Sequence, residues 1–373
     1  MNTGNIFLYA FIGFFIYGCV GDDPGESNNQ NADASTGTVS GHDCDVSGDF
    51  EEDLSNCEPA ATDYQPRVNN SADDSWAKCI SDDNSYHLIA DSPSSIARVE
   101  AYDAAGKLLW NNSKIPTAED FTKSRIIIDS DQGLGSRLDR RYDVHYDAPP
   151  SGAKCDEEGI ASQYPDYCVG PGKLRPILNE AFKSVANGGD PVINAARIHA
   201  ALQWFLYVSV VKEATTCTEK AKDCDSSWAY YSGGTARNSV IGLAKEIKSI
   251  TPLTHDRIYD GNLAVGCWRF LDDGETAKNL SMRDLAIKQM DTALLYAMST
   301  LVIEQFLKIN CSTGSYKKAA LAELEILISL LDLETRKRSK SVADLLKTEI
   351  EKDIDNIDTA NAIKSIKSIY LCP

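Results

Sequence analysis

One short stretch of the chain concentrates side chains that could bind a metal ion. Residues 223–234 read DCDSSWAYYSGG, with two acids around a cysteine, then an aromatic cluster and two glycines. Carboxylates and phenolates are hard oxygen donors, which hard cations such as iron prefer. Asp225 and Tyr231 are therefore candidate ligands. The alternative is a packed helix end, in which the aromatic rings are buried, the acids face water and Gly233 ends the helix.

A long helix predicted just before this stretch offers two further donors. Residues 195–215 read AARIHAALQWFLYVSVVKEAT, and their apolar positions recur with a helical period. His199 and Glu213 lie about four turns apart and so share a face. Both are expected to point into a helical bundle, where helical proteins build metal sites. The predicted site for iron or another hard cation therefore consists of Asp225, Tyr231, His199 and Glu213.

The same region resembles a known family. The run WAYYSGG and the helix before it are similar to the low-iron-inducible periplasmic protein family of algae and bacteria, over residues 194–274. The resemblance implies an extracytoplasmic, mostly helical protein that takes part in iron assimilation. It matches these residues to the family's short motif: Asp225, Trp228, Tyr230, Tyr231 and Gly233.

A second helical and iron-linked family, the imelysin-like proteins, is marked by a Gly-x-His-x-x-Glu motif. Centred on His199, this motif meets Arg197 in place of its glycine and Leu202 in place of its glutamate. The metal-binding carboxylate of that motif is therefore missing.

The N-terminus indicates export and a lipid anchor. Residues 6–18 read IFLYAFIGFFIYG, an uncharged run that is too short to span a bilayer but suits the apolar core of a signal peptide. The run ends at Gly18-Cys19, which resembles the lipobox of bacterial lipoproteins, where the cysteine thiol carries a diacylglycerol. We expect lipidation of Cys19 and a protein on the outer membrane or cell surface.

The other ten of the eleven cysteines are expected to form disulfides, as is usual in exported proteins. Short loops favour the pairs Cys155–Cys168, Cys217–Cys224 and Cys44–Cys57. The second pair requires the helix to break, because seven helical residues separate two Cα atoms by ~10.5 Å, more than a disulfide spans.

The charge of the chain is concentrated near its start. Fourteen acidic residues and one basic residue lie within residues 20–75, and the whole chain has a net charge of −18. This segment is interpreted as an acidic, flexible stalk. Nucleic acid is not expected as a partner, because phosphate binding needs clustered basic residues.

Part of this acidic segment resembles half of a calcium-binding loop. Asp43 and Asp45 stand at the first two ligand positions of an EF-hand pattern. The twelfth position holds Leu54 instead of the bidentate acid, so calcium is not the favoured ligand.

The predicted fold class is α+β. Residues 76–150 show short runs with an alternating pattern, at 96–110, 124–128 and 141–146, which predict a small β-rich domain. Residues 174–373 have a helical period and predict a larger all-α bundle. The predicted order is a signal peptide at 1–18, the stalk at 19–75, the β-rich domain at 76–150, a disulfide-closed linker at 151–173 and the bundle.

No nucleotide-binding loop, zinc-protease motif or nucleophile elbow occurs in the sequence. We therefore expect a non-enzymatic, membrane-anchored binding protein, with iron as the leading ligand. The alternative is a structural or adhesive surface protein without a small ligand. A protein partner at the cell surface is left open.

Overall fold

The structure, a computed structural model, describes Cys44, Val46 and the residues 52–69, 76–111, 113–130 and 133–373. The described residues of Ser40–Pro373 belong to one compact helical unit. The predicted signal peptide, Cys19 and the calcium-loop residues Asp43 and Asp45 lie outside the described residues.

Thirteen α-helices make up most of the described part of the chain. They are α1 (Ser95–Leu109), α2 (Ala118–Asp129), α3 (Gly135–Leu138), α4 (Ile160–Gln163), α5 (Arg175–Ala186), α6 (Pro191–Thr216), α7 (Lys222–Ser232), α8 (Leu243–Ile250), α9 (Pro252–Leu271), α10 (Leu280–Cys311), α11 (Gly314–Arg338), α12 (Lys340–Ile350) and α13 (Thr359–Ile369). Single turns of 3₁₀ or π-helix occur at Ile80–Asp83, Gly170–Leu174 and Ile354–Asn356.

Helix α6 lies at the centre of the molecule. It packs against α5, α7 and α11, while α10 packs against α9 and α11. Because α6 has neighbours on several sides, it is apolar around most of its circumference, as expected of a buried helix. The helical bundle predicted for the C-terminal part of the chain is therefore confirmed.

Helix α10 is long and apolar enough to cross a membrane, and it is the one such helix among the described residues. However, 72% of its most apolar window is buried inside the protein. Its apolar character is therefore accounted for by contacts with α9 and α11.

The predicted β-rich domain is wrong, and the fold is all-α rather than α+β. The alternating run at 96–110 lies almost entirely in helix α1, and no β-strand occurs in the described ranges. The buried residues Val99, Tyr102, Ala105 and Leu109 recur every three or four positions, which is the helical period. The alternation that suggested strands extends over only a few residues, and it is overridden when α1 packs against α6 and α7.

The run at 124–128, predicted as a strand, belongs to helix α2. The start of this helix is set by a capping box, in which Thr117 and Asp120 each bond the other's backbone N–H. The signature Thr-x-x-Asp precedes the β-branched run in the sequence, and local capping here prevails over the strand preference of Ile126 and its neighbours.

The third predicted strand, at 141–146, is an irregular segment with the opposite burial pattern. A strand with this alternation would bury Tyr142, Val144 and Tyr146, but Arg141 and Asp143 are the buried side chains. Arg141 pairs with Glu213 on α6, and Asp143 pairs with His145, which also contacts Asp291 on α10. Alternation of apolar and polar residues does not reveal the long-range pairs with Glu213 and Asp291.

Residues 52–69, within the predicted stalk, pack against the helices. The Glu52 carboxylate accepts hydrogen bonds from the backbone N–H groups of Leu253 and Thr254 at the start of α9. Tyr64 is fully buried, and its backbone N–H donates to Gln289 on α10. This acidic stretch is thus part of the folded unit, and one of its acids interacts with the positive end of a helix.

Five disulfides link the ten cysteines at 44–372, with Cα separations of 5.1–5.8 Å. The pairs are Cys44–Cys311, Cys57–Cys372, Cys79–Cys267, Cys155–Cys168 and Cys217–Cys224. Two of the expected short-loop pairs are therefore present, whereas the expected Cys44–Cys57 pair is wrong. Disulfides of this number are typical of proteins outside the cytoplasm, which agrees with the predicted export.

Candidate functional site

A cavity of about 340 Å³ opens between α6, α8, α10 and α11, beside the end of α1. Its volume falls within the range of small-molecule sites. We call it the His199 pocket, and it combines polar side chains with an apolar wall. The polar side chains include His199, Gln203, Glu246, Glu304, Lys308, Glu323 and Lys114, and the wall includes Leu109, Trp110, Val192, Ile250 and Leu301.

His199 lies between two carboxylates. Its Nε2 is 3.2 Å from both oxygens of Glu246, and its Nδ1 is 3.0 Å from Oε1 of Glu323. The imidazole also stacks on Trp110, with ring centroids 4.7 Å apart. Burial alone lowers the pKa of His199, but Glu323 and Glu246 raise that pKa to about 10. The imidazole of His199 is therefore protonated at neutral pH.

The Glu246 carboxylate has several hydrogen-bond partners in the pocket. The hydroxyl of Tyr102 donates to its two oxygens at 2.7 and 2.8 Å, and Gln203 Nε2 donates to Oε2 at 2.9 Å. Burial raises the pKa of Glu246, but the charge of His199 and these hydrogen bonds lower it by more. The carboxylate is therefore ionised and held in one orientation.

Gln203 presents an acceptor without a partner. Its Nε2 donates to the Glu246 carboxylate. Because an ionised carboxylate can only accept, the amide atom beside it must be the nitrogen, and the other atom must be the oxygen Oε1. The opposite atom, Oε1, is buried and has no hydrogen-bond partner among the described residues. Because Gln203 is 2% exposed, Oε1 has lost its hydration and gains no replacement from the described residues.

A second ion pair lies across the pocket on α10. Lys308 Nζ is 3.0 Å from Oε1 of Glu304. Burial lowers the pKa of Lys308, but Glu304 and Glu323 raise it by more. The pocket thus places three carboxylates beside three cations, His199, Lys308 and Lys114. The unpartnered Oε1 of Gln203 remains as an acceptor for a ligand that donates hydrogen bonds.

The four predicted metal ligands do not come together. His199 and Glu213 do lie on one helix, but fourteen residues of α6 separate them by ~21 Å along its axis, too far for one ion. Glu213 instead pairs with Arg141 at 2.8 Å. Within the described ranges, no group of three or more His, Cys, Asp or Glu side chains is placed to hold a metal ion.

Asp225 and Tyr231 have separate structural partners. The buried Asp225 carboxylate accepts hydrogen bonds from the backbone N–H groups of Ile89 and Ala90 and from the Tyr86 hydroxyl. The Tyr231 hydroxyl is 2.8 Å from Nδ1 of His255. The stretch that suggested a metal site is therefore a packed helix end, and Gly233 ends α7 with a φ of 72° as expected.

Sequence reasoning identified His199 but missed its partners. Gln203 is four residues further along α6, so the helical period could have placed it on the same face. Glu246 and Glu323 come from α8 and α11, and no spacing in the sequence links them to His199.

Comparison with protein families, with curated proteins and with solved structures finds no match to this chain.

Proposed function

We propose that the protein is an extracytoplasmic, non-enzymatic binding protein whose His199 pocket takes a small organic cation. The observation that carries this proposal is the buried, unpartnered Oε1 of Gln203, a residue that lines the pocket. A buried acceptor without a partner costs about 1–3 kcal/mol, and a bound N–H donor removes that cost.

The acceptors of the pocket favour a ligand that donates hydrogen bonds. Glu246, Glu304 and Glu323 border the cavity with the cations His199, Lys308 and Lys114, and His199 and Lys308 are engaged in ion pairs with these carboxylates. An ammonium or guanidinium group can donate to Gln203 Oε1 and gain from the nearby carboxylates at the same time. The apolar wall around Trp110 suits the hydrocarbon part of such a ligand.

The expected lipid anchor gives the proposed binding protein a location. Lipidation of Cys19 places the protein on the outer membrane or cell surface, where a pocket can capture a ligand from outside. The structural or adhesive alternative gives no account of an unpartnered acceptor in a cavity. Iron, which the resemblance in the sequence suggested, is tested in the same experiment.

The experiment is a thermal-shift and calorimetric titration of the purified, oxidised protein. The probes are putrescine, spermidine and arginine, with ferric citrate as a separate arm. At a hundred times its Kd, a ligand stabilises the native state by about 2.7 kcal/mol. We expect at least one amine to raise the melting temperature and Gln203→Met to abolish the gain.

Gln163→Met is the matched control, because Gln163 is exposed on α4, away from the pocket. It should keep the ligand-dependent shift. If none of the amines binds, or if Gln203→Met binds them as the wild type does, the proposal is wrong. A shift with ferric citrate alone would replace the organic cation by a metal.

A further inference from the structure

A second cavity, of about 460 Å³, is lined by basic side chains on the opposite part of α6 from the His199 pocket. We call it the Arg141 groove. Its basic residues are Arg137, Arg140, Arg141, Lys154, Lys212 and Lys220, and its acidic residues are Glu213 and Asp156. This excess of positive charge occurs in a chain whose net charge is −18.

The buried floor of the groove is positively charged even after its internal ion pairs are formed. Both oxygens of Glu213 are occupied, one by Arg141 at 2.8 Å and the other by Lys212 at 3.1 Å. One carboxylate therefore serves two cations. Burial lowers the pKa of Lys212, and the positive charge of Arg141 lowers it further.

Arg141 retains an unused donor. Its Nη1 bonds Glu213 and its Nη2 donates to the Tyr230 hydroxyl at 3.1 Å. Its Nε is buried and has no hydrogen-bond partner among the described residues, although Arg141 is only 3% exposed. A buried arginine N–H without an acceptor is costly and points to a missing group.

The rim adds arginines that no carboxylate of the described chain neutralises. Arg137 and Arg140 have no ion-pair partner among those residues. Burial lowers the pKa of Arg137, and repulsion from Arg98, Arg140 and Arg141 lowers it further. Like charges held close together in this way are stabilised when an anion binds between them.

We propose that the Arg141 groove binds a phosphate group, either free phosphate or a phosphate monoester. A phosphate dianion offers several acceptor oxygens, which suit the planar, multi-donor guanidinium groups. Arg137 and Arg140 contact the dianion at the rim, and Arg141 Nε faces the same acceptor from the floor. The groove is separate from the His199 pocket, so this proposal does not depend on the function proposed there.

The test is isothermal titration of the full oxidised protein with sodium phosphate and with glycerol 3-phosphate. We expect binding that weakens as salt is added. The double variant Arg137→Gln/Arg140→Gln should weaken it about a hundredfold, since each lost charge-assisted hydrogen bond corresponds to about tenfold or more. Lys337→Gln/Lys340→Gln removes the same charge from an exposed site near the end of α11 and should leave binding unchanged.

A second arm separates free phosphate from a phosphate carried by lipid. Vesicles of phosphatidylcholine with and without phosphatidic acid are sedimented with protein that lacks the lipid anchor. Capture by phosphatidic acid without binding of the soluble probes would support a lipid headgroup as the source. The proposal is overturned if neither form binds, or if both double variants bind equally well. Gln203→Met should not affect phosphate binding, so a failure here is distinguishable from a failure at the His199 pocket.

Discussion

Asp225 and Tyr86 are joined by a hydrogen bond of 3.0 Å across 139 residues of sequence. The Tyr86 ring also stacks on Trp228, one turn along α7, with ring centroids 4.5 Å apart. The segment at 86–90 is thereby held against α7 by one carboxylate and one aromatic pair. The acid that resembled a metal ligand is instead a structural acceptor for a loop.

Replacing Asp225 should therefore reduce stability strongly. Asp225→Ala leaves two backbone N–H groups and one hydroxyl without an acceptor, and we expect it to lower the free energy of unfolding by about 3 kcal/mol. The measurement is urea denaturation followed by circular dichroism. Asp223→Ala, on the same helix, is the control and should cost less than about 0.5 kcal/mol. Equal effects of the two substitutions would show that the loop contacts contribute little.

Stability should fall as the pH rises from about 6.5 to 10. His145 lies between Asp143 and Asp291, and these contacts raise its pKa to about 10 against the effect of burial. His199 has a pKa of about 10 for the corresponding reason. A raised pKa in the folded state gives stability that is complete below the unfolded value and is lost as the pH passes the folded value.

The loss between pH 6.5 and 10 is expected to be at least about 1.4 kcal/mol for each histidine. Denaturation midpoints measured across this range are the check. His145→Gln and His199→Gln should each flatten the profile. A wild-type profile that is flat up to pH 10 would contradict the ion pairs.

The disulfide pairing can be tested with a single substitution. Because Cys44 bonds Cys311, Cys44→Ala should leave Cys311 as the one alkylatable thiol. A Cys44–Cys57 bond would instead release Cys57. Mass spectrometry of peptides from the alkylated, unreduced protein distinguishes these outcomes, and the wild type should contain no free thiol among the ten cysteines.

Gly261 allows α9 and α10 to approach each other closely. A Cβ at this position would lie 2.5 Å from the Cα of Met290, a backbone atom that cannot turn away. Gly261→Ala should therefore destabilise the protein by about 3 kcal/mol, although alanine favours helices by about 1 kcal/mol relative to glycine. Gly274→Ala, whose nearest neighbour would be 3.3 Å away, is the control for thermal denaturation. A Gly261→Ala protein as stable as the wild type would show that the helices can separate without cost.

The lipid anchor is tested at Cys19. Cys19→Ser removes the thiol that would carry the diacylglycerol, and each buried methylene of an acyl chain contributes ~0.8 kcal/mol to membrane affinity. We expect the variant to appear in the soluble fraction and the wild type in the membrane fraction. Retention of Cys19→Ser on membranes after a salt wash would refute lipidation as the anchor.

The sequence alone determined those features that depend on local or compositional signals. Apolar residues that recur every three or four positions over a long stretch predict α6 and the helices after it, because this spacing places them on one buried face of a helix. The helix break before α7 and the left-handed Gly233 follow from the reach of a disulfide and from the conformational freedom of glycine. The short Cys155–Cys168 and Cys217–Cys224 loops could be favoured for the same reason of proximity.

Only the tertiary structure decided which residues meet. The run at 96–110 is compatible with both a strand and a helical period, and it is the packing surface of α6 and α7 that makes it helix α1. Arg141 is buried because Glu213 reaches it from α6, and His199 lies in a pocket because Glu246 and Glu323 arrive from two other helices. Ion pairs of this kind join residues that are tens to more than a hundred positions apart in the sequence, so neither spacing nor composition reveals them. The two cavities that these ion pairs line therefore exist only in the folded chain.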